Sequence, residues 1–176
     1  MKTSLIIVSV VLLIVVGWLL TSNTGQRQNM NSNSDNTQTD SSIIAEKAPD
    51  FNLQDYDGKT VRFTDFTGKP LIINSWAAWC SFCRKELVDF AVAQKEFGAS
   101  VAIVAIDRAE SREVAKKYSD EIGVTDDLIF LLDPSDSFYQ SIGGFSMPET
   151  IFVDKNSNIV DHKRGPMDLN EIRGKI

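Results

Sequence analysis

Three short apolar runs constrain this chain more than any other feature: "PLIINSW" from Pro70 to Trp76, "VAIVAID" from Val101 to Asp107 and "LIFLLD" from Leu128 to Asp133. Each has strand length. Each is apolar at successive positions rather than at alternate ones, which suits a strand covered on both faces. Between them the spacing turns helical. From Ser81 to about Phe97, Leu87, Phe90, Ala91 and Phe97 fall on one stripe. Ser111 to Gly123 reads as a second helix, with Ser111 as N-cap and Gly123 as stop. Strand–helix alternation of this kind implies right-handed parallel crossovers.

The flanks add antiparallel pieces. Phe51 to Gln54 and Thr60 to Phe63 enclose an Asp57-Gly58 turn, a hairpin signal. Ser135 to Ile142 reads as a short helix ended by Gly143-Gly144. Thr150 to Asp154 and Asn158 to Lys163 flank a turn at Lys155-Asn156-Ser157 and form a closing hairpin, and Asp168 to Ile176 a last helix. The predicted order is ββ-β-α-β-α-β-α-β-β-α. That order specifies an α/β three-layer sandwich around a mixed central sheet, with an added N-terminal β-hairpin.

The first 42 residues have a different character. Residues 3 to 26 carry no charge, and Leu5 to Leu20 is broken only by Ser9 and Gly17. At ~1.5 Å per residue that run spans roughly 24 Å, and its polar neighbours bring it to bilayer length. Residues 1–22 are expected to be an N-terminal transmembrane anchor, or an uncleaved signal, with Lys2 on the cytoplasmic side. A cleaved signal peptide is the competing reading, but the "TSNTGQ" that follows is a poor cleavage site. Either way the domain is exported. Residues 23–42, rich in Asn, Ser, Thr and Gln, are expected to be a flexible polar linker.

The domain is then 43–176. Lys2, Arg27, Asp35 and Asp40 cancel, so the net charge of −6 belongs to it. An acidic domain argues against nucleic acid and anionic lipid as partners. A monomer is expected, with no cofactor and no resident metal.

Against this frame stand the only two cysteines, in "WCSFC", Trp79 to Cys83. A structural zinc needs four ligands, and the chain offers two cysteines and His162, an expected exposed strand residue. A disulfide staple closing so short a loop contributes only about 2 kcal/mol in the chain-entropy model. A redox pair fits the position, at the carboxyl end of a buried strand where open α/β sheets place their sites. With Cys80 as N-cap, the amides of Phe82 and Cys83 would point at its sulfur. The helix dipole would add to them, favouring thiolate. Cys80 then attacks a substrate disulfide and Cys83, one turn inside, resolves the mixed disulfide.

"WAAWCSFC" followed by "MPETIFVD" resembles the thioredoxin fold. With "APDFNLQDYDGKTVRF", "LIINSWAAWC", "CRKE" and "PETIFVDKNSNIV", the chain is similar to the TlpA/ResA-like membrane-anchored thiol-disulfide oxidoreductases from about Ala48 to Ile176. The resemblance implies a redox disulfide Cys80–Cys83, with Cys80 attacking and Cys83 resolving. It implies that Trp79 flanks the exposed sulfur and that Pro148 is a cis-proline facing the disulfide. Met147, before it, would offer its backbone to a substrate strand. Glu86 matches a glutamate beside the active site. Three residues after Cys83, it shares that face of the helix and can relay a proton or raise thiol pKa values. The plainer alternative is a solvated first-turn glutamate. Asn74 stands where thioredoxins proper carry a buried acid. Phe82 replaces a frequent proline, and Met147 a more usual β-branched or hydroxyl residue.

The implied activity is extracytoplasmic thiol-disulfide exchange with protein substrates. Its direction is that of a reductant of the cytochrome c maturation type, fed by a membrane thiol-disulfide electron donor. Two alternatives remain. The opening "APDFNLQDYDGK" also resembles peroxiredoxins, although those place a hydroxyl residue where this chain has Ala77. A surface CxxC with Met147 nearby also suits Cu(I).

Overall fold

In the computed structural model, residues 46–176 are described. The first hairpin pairs β1 (Asn52–Asp55) with β2 (Thr60–Arg62) in antiparallel register. The Asp55 carboxylate organises its turn by accepting the amides of Asp57 and Lys59, each at 2.9 Å. Then follow β3 (Leu71–Trp76), α1 (Cys83–Phe97), β4 (Ala102–Arg108), α2 (Arg112–Ile122), β5 (Ile129–Asp133), α3 (Ser137–Ser141), β6 (Glu149–Val153), β7 (Ile159–Arg164) and α4 (Leu169–Arg173). The expected order of elements is reproduced. Single 3-10 turns at Phe63–Phe66 and Gly98–Ser100 are additions.

The seven strands lie in the order β2-β1-β5-β4-β3-β6-β7. The three apolar runs form the parallel centre, β3 beside β4 and β4 beside β5. β1 joins β5 antiparallel, and β6 joins β3 antiparallel. The expected mixed sheet is thus present, with β2 and β7 as its edges.

Alternation along the strands sorts the core into two faces. Ile72 and Trp76 of β3 and Ile103 and Ala105 of β4 pack with Leu87, Phe90 and Ala91 of α1, Ala115 of α2 and Ile172 of α4. Leu71, Ile73, Val104 and Ile106 point the other way, toward Phe138, Tyr139 and Ile142. The second face is closed largely by aromatic rings, with Phe51 meeting Phe63 and Phe138 edge to face at 5.8 and 5.9 Å. These are the three layers the sequence implied.

The helix caps follow local chemistry. Ser111 Oγ accepts the Val114 amide at 3.4 Å, and Gly123 closes α2 at φ +75°, where a side chain would be strained. Asp168 caps α4 through the Glu171 amide at 2.9 Å. The third helix is shorter than the predicted 135–142. Asp133 draws Ser135 Oγ, Ser137 Oγ and the Phe138 amide onto its carboxylate, and Asp136 sits at φ +55°, so helical geometry begins only at Ser137.

Among the described residues no helix is long and apolar enough to cross a membrane. The anchor expected at 1–22 and the linker expected at 23–42 lie outside the described residues.

Phe90 has no solvent exposure and sits at the centre of the α1 face, whereas Val88 on the same helix is 38% exposed. Phe90→Ala is expected to cost about 3–5 kcal/mol of unfolding free energy. Val88→Ala should stay within about 0.5 kcal/mol. Urea unfolding of both variants checks this; equal losses would show that the helix is not seated on this face.

Candidate active site

The site grows from the end of β3. Trp76 is fully buried, its ring stacked on Tyr118 at 5.6 Å and edge-on to Phe130 at 5.6 Å. Beyond this anchor the chain turns over Ala77 to Phe82. The Cys80 amide donates to the Ala77 carbonyl at 3.1 Å and the Cys83 amide to the Cys80 carbonyl at 3.2 Å. Cys80 and Cys83 are joined as a disulfide. Cys83 is sealed at 0% exposure and Cys80 retains 4%, so any exchange partner reaches Cys80 first.

The capping arrangement differs from the expectation. Helical hydrogen bonding starts at Cys83, and Phe82 rather than Cys80 occupies the N-cap with αR backbone and no side-chain cap. Of the two amides expected at the sulfur, only that of Cys83 donates to Cys80 Sγ, at 3.2 Å. The intervening Ser81-Phe82 pair forms a turn of its own, and this moves the Phe82 amide off the sulfur.

Three large aromatic side chains from the CxxC loop and the loop ahead of β6 are exposed. Trp79 is 64% exposed, Phe82 62% and Phe145 83%. Trp79 and Phe82 come from the CxxC loop, and Phe145 comes from the loop ahead of β6. The Met147–Pro148 bond is cis, as the family resemblance implied. Pro148 is buried directly before β6, whose Glu149 pairs with Ser75 of β3, so sheet register brings this loop to the end of the sheet that carries Cys80. Met147 is half-buried and packs against the cluster that contains both cysteines.

Glu86 is not the solvated residue of the plainer reading. It is 1% exposed, on the first turn of α1 behind Cys83. Its Oε2 accepts Asn74 Nδ2 at 2.9 Å and its Oε1 accepts the Met167 amide at 2.9 Å. Burial dominates and pushes its carboxyl up to about 8, against the lowering effect of those two bonds. Asn74, also fully buried, uses the same amide nitrogen to donate to Thr150 Oγ1 of β6 at 2.9 Å, and its Oδ1 has no partner. Glu86 is thus a buried carboxyl held by two hydrogen bonds on the first turn of α1, its protonation raised to near the thiol range.

His162 departs from expectation. Its side chain is partly buried, and Nε2 lies 2.6 Å from Glu149 Oε1. Glu149 itself went unnoticed in the sequence. Its side chain is fully buried, and Oε2 accepts the amides of Phe145 at 2.8 Å and Ser146 at 2.9 Å. Burial opposes its charge, but those amides and His162 hold its carboxyl below the usual range. Its position next to Pro148 was a signal; its contacts depend on strand pairing that local pattern does not reveal. Among the described residues, no group of three or more His, Cys, Asp or Glu side chains is arranged to hold a metal ion.

Residues 44–162 match the profile of the AhpC/TSA family. The thiol-disulfide oxidoreductase ResA of Geobacillus thermodenitrificans is 28% identical over 141 residues, 78% of each chain. The thioredoxin-like protein YneN of Bacillus subtilis is 31% identical over 132 residues, covering 74% of this chain and 77% of the relative. Among solved structures, the exposed lipoprotein thioredoxin Etrx1 of Streptococcus pneumoniae superposes with a TM-score of 0.65 at 30% identity, covering 72% of this chain and 96% of that one. A disulfide-linked CxxC at the start of a helix, a cis-proline loop beside it and these matches lead to one assignment: the chain belongs to the AhpC/TSA family, among its thioredoxin-like thiol-disulfide oxidoreductases.

Proposed function

We propose that the Cys80–Cys83 pair exchanges two electrons with protein substrates on the extracytoplasmic side of a membrane, and that the working direction is reductive. The observation that carries the exchange chemistry is the asymmetry of the pair, Cys83 fully sealed and Cys80 retaining 4% exposure, with the buried Glu86 one helical turn beyond Cys83. In the reduced protein the Cys80 thiolate, favoured by the Cys83 amide, attacks one sulfur of a substrate disulfide and expels the other as thiolate. Glu86, as carboxylate, takes the proton of the Cys83 thiol. Cys83 thiolate then attacks Cys80 Sγ, the mixed disulfide breaks, and the substrate leaves with both electrons as a dithiol. The Cys80–Cys83 disulfide remains. A thiol donor must reduce it again, and a membrane thiol-disulfide carrier suits that role.

Trp79, Phe82 and Phe145 offer an apolar rim to the segment that carries the substrate cysteine, and Met147 a backbone edge for it. Extracytoplasmic placement is supported by the apolar 1–22 segment and by the likeness to an exposed lipoprotein thioredoxin. Several relatives are named thiol-disulfide oxidoreductase ResA, which supports the exchange chemistry; the reductive, cytochrome-maturation direction follows the family resemblance. Peroxide chemistry is less well supported. Ala77, which is fully buried, offers no hydroxyl, and the two cysteines are paired with one another.

Cys83→Ser should arrest substrates as mixed disulfides on Cys80, seen as mass-shifted species that dithiothreitol releases. Cys80→Ser should trap none; trapping by Cys80→Ser alone would reverse the two roles.

Glu86→Gln should slow resolution by about ten- to a hundredfold. The attack by Cys80 should stay near wild type, so mixed disulfide accumulates in rapid-quench experiments. Stability follows a definite sign. Because burial raises the folded-state pKa to about 8, the folded protein holds a proton that the unfolded chain has lost. Wild-type stability therefore falls as pH rises from about 4.5 to 8. Glu86→Gln, neutral throughout, should lack that component of the fall. Parallel pH–stability curves for the two proteins would refute the assigned protonation.

A further inference from the structure

A second buried acid lies at the same end of the sheet, on β4, and the exchange steps above do not use it. Asp107 ends the buried stretch of β4, where it pairs in register with Trp76 of β3, the last residue before the redox loop. It is fully buried, and its Oδ2 has no partner. Its Oδ1 accepts the Glu110 amide at 3.1 Å. Glu110 in turn reaches across to the loop, where its Oε2 accepts the Ala78 amide at 2.6 Å, two residues before Cys80. The turn that makes this reach possible is strained. Ala109 is held at φ +58°, a conformation ordinary residues avoid, and its amide is fixed to the Asp133 carbonyl at 3.0 Å.

We propose that Glu110 is a positioning residue for the redox centre: its carboxylate fixes the Ala78 peptide, and the buried Asp107, by accepting the Glu110 amide, holds that residue in place. Burial first, and Glu110 second, raise the Asp107 carboxyl well above its ordinary range. The remaining titratable or charged groups facing the pair are Asp133 of β5, Tyr56 of the first hairpin turn, Asp120 of α2 and, through Tyr118, Arg84 of α1. None of these places a cation on Asp107. The protonated form of Asp107 is therefore favoured at neutral pH. The loop that presents Trp79 and Cys80 is thus pinned at its start, as the Cys83 amide pins it at its end.

The proposal rests on the exchange reading for its catalytic consequence. Its geometric part is tested without activity. Amide hydrogen exchange at Ala78 is compared in wild type, Glu110→Gln and Glu110→Ala. Glutamine keeps the acceptor and loses the charge, so the two variants are matched in charge. Ala78 protection should fall by about tenfold or more in Glu110→Ala and stay within about threefold in Glu110→Gln. Insulin-disulfide reduction should follow the same order, with kcat/KM down about tenfold only in Glu110→Ala. Equal protection in the two variants overturns the proposal. Lost protection with insulin reduction absent in all three proteins, wild type included, would instead count against the exchange reading. Asp107 supplies the second arm. Asp107→Ala removes the acceptor of the Glu110 amide and should lower Ala78 protection by about tenfold, whereas Asp107→Asn, which keeps an acceptor oxygen, should stay within about threefold of wild type. Equal Ala78 protection in these two variants would remove Asp107 from the proposal.

Discussion

A carboxyl group shut between a helix and a sheet must gather hydrogen bonds, give up its charge, or do both. Glu86 does both, and the active end of the molecule is organised around it. Through Asn74 it is tied to β3, and through the Met167 amide to the segment that leads into α4. Asn74 carries the link onward to Thr150 of β6, the strand that begins just after Pro148. One buried polar chain therefore runs from Met167 to Thr150 beneath the redox loop. The start of α1, the end of β3 and the cis-proline loop take their positions from it. Asn74 Oδ1 is left without a partner, a stated cost of placing an amide and an acid where an all-apolar core would pack more simply.

The same device recurs around the site. Glu110 accepts the amide of Ala78, and Glu149 accepts those of Phe145 and Ser146. Three carboxyls thus fasten three loops at one end of the sheet, each through backbone rather than side chain. The net charge of −6 takes on local meaning here. Part of the acidity of this domain is turned inward, where it fixes peptide groups around the disulfide. Aromatic side chains are left to face the solvent: Trp79, Phe82 and Phe145 stand on backbone that those inner acids restrain.

The sequence made the scaffold legible because apolar runs and turn residues act locally. "LIINSW", "VAIVAID" and "LIFLLD" lie in the centre of the sheet, and Ser111 and Gly123 bound α2 as their chemistry requires. Cys80, Cys83 and Pro148 were legible from their motifs. Glu86 was placed by its spacing from Cys83, but its depth was not, since burial depends on α4 and the Met167 segment 81 residues away. Glu110 escaped notice for the same reason, since the Ala78 amide it accepts lies 32 residues away; Asp107 and Glu149 accept amides only three or four residues off, but no motif marks them. The misplaced N-cap had a local cause, because the Ser81-Phe82 turn delays helical geometry by two residues, from Cys80 to Phe82 as N-cap. The short α3 was similarly decided by Asp133, which gathers donors that a helix would otherwise have kept.

The two edges of the sheet are finished differently from its centre. β2 has three residues, too few to template another strand. β7 carries Asp161, His162, Lys163 and Arg164 in succession, and Lys163 is paired with Glu171 at 2.7 Å. Short or charged borders of this kind discourage edge-to-edge stacking between copies of a chain. In the proposed exchange reaction a substrate strand pairs only with the backbone just before Pro148, and these borders keep such pairing from spreading along the rest of the sheet.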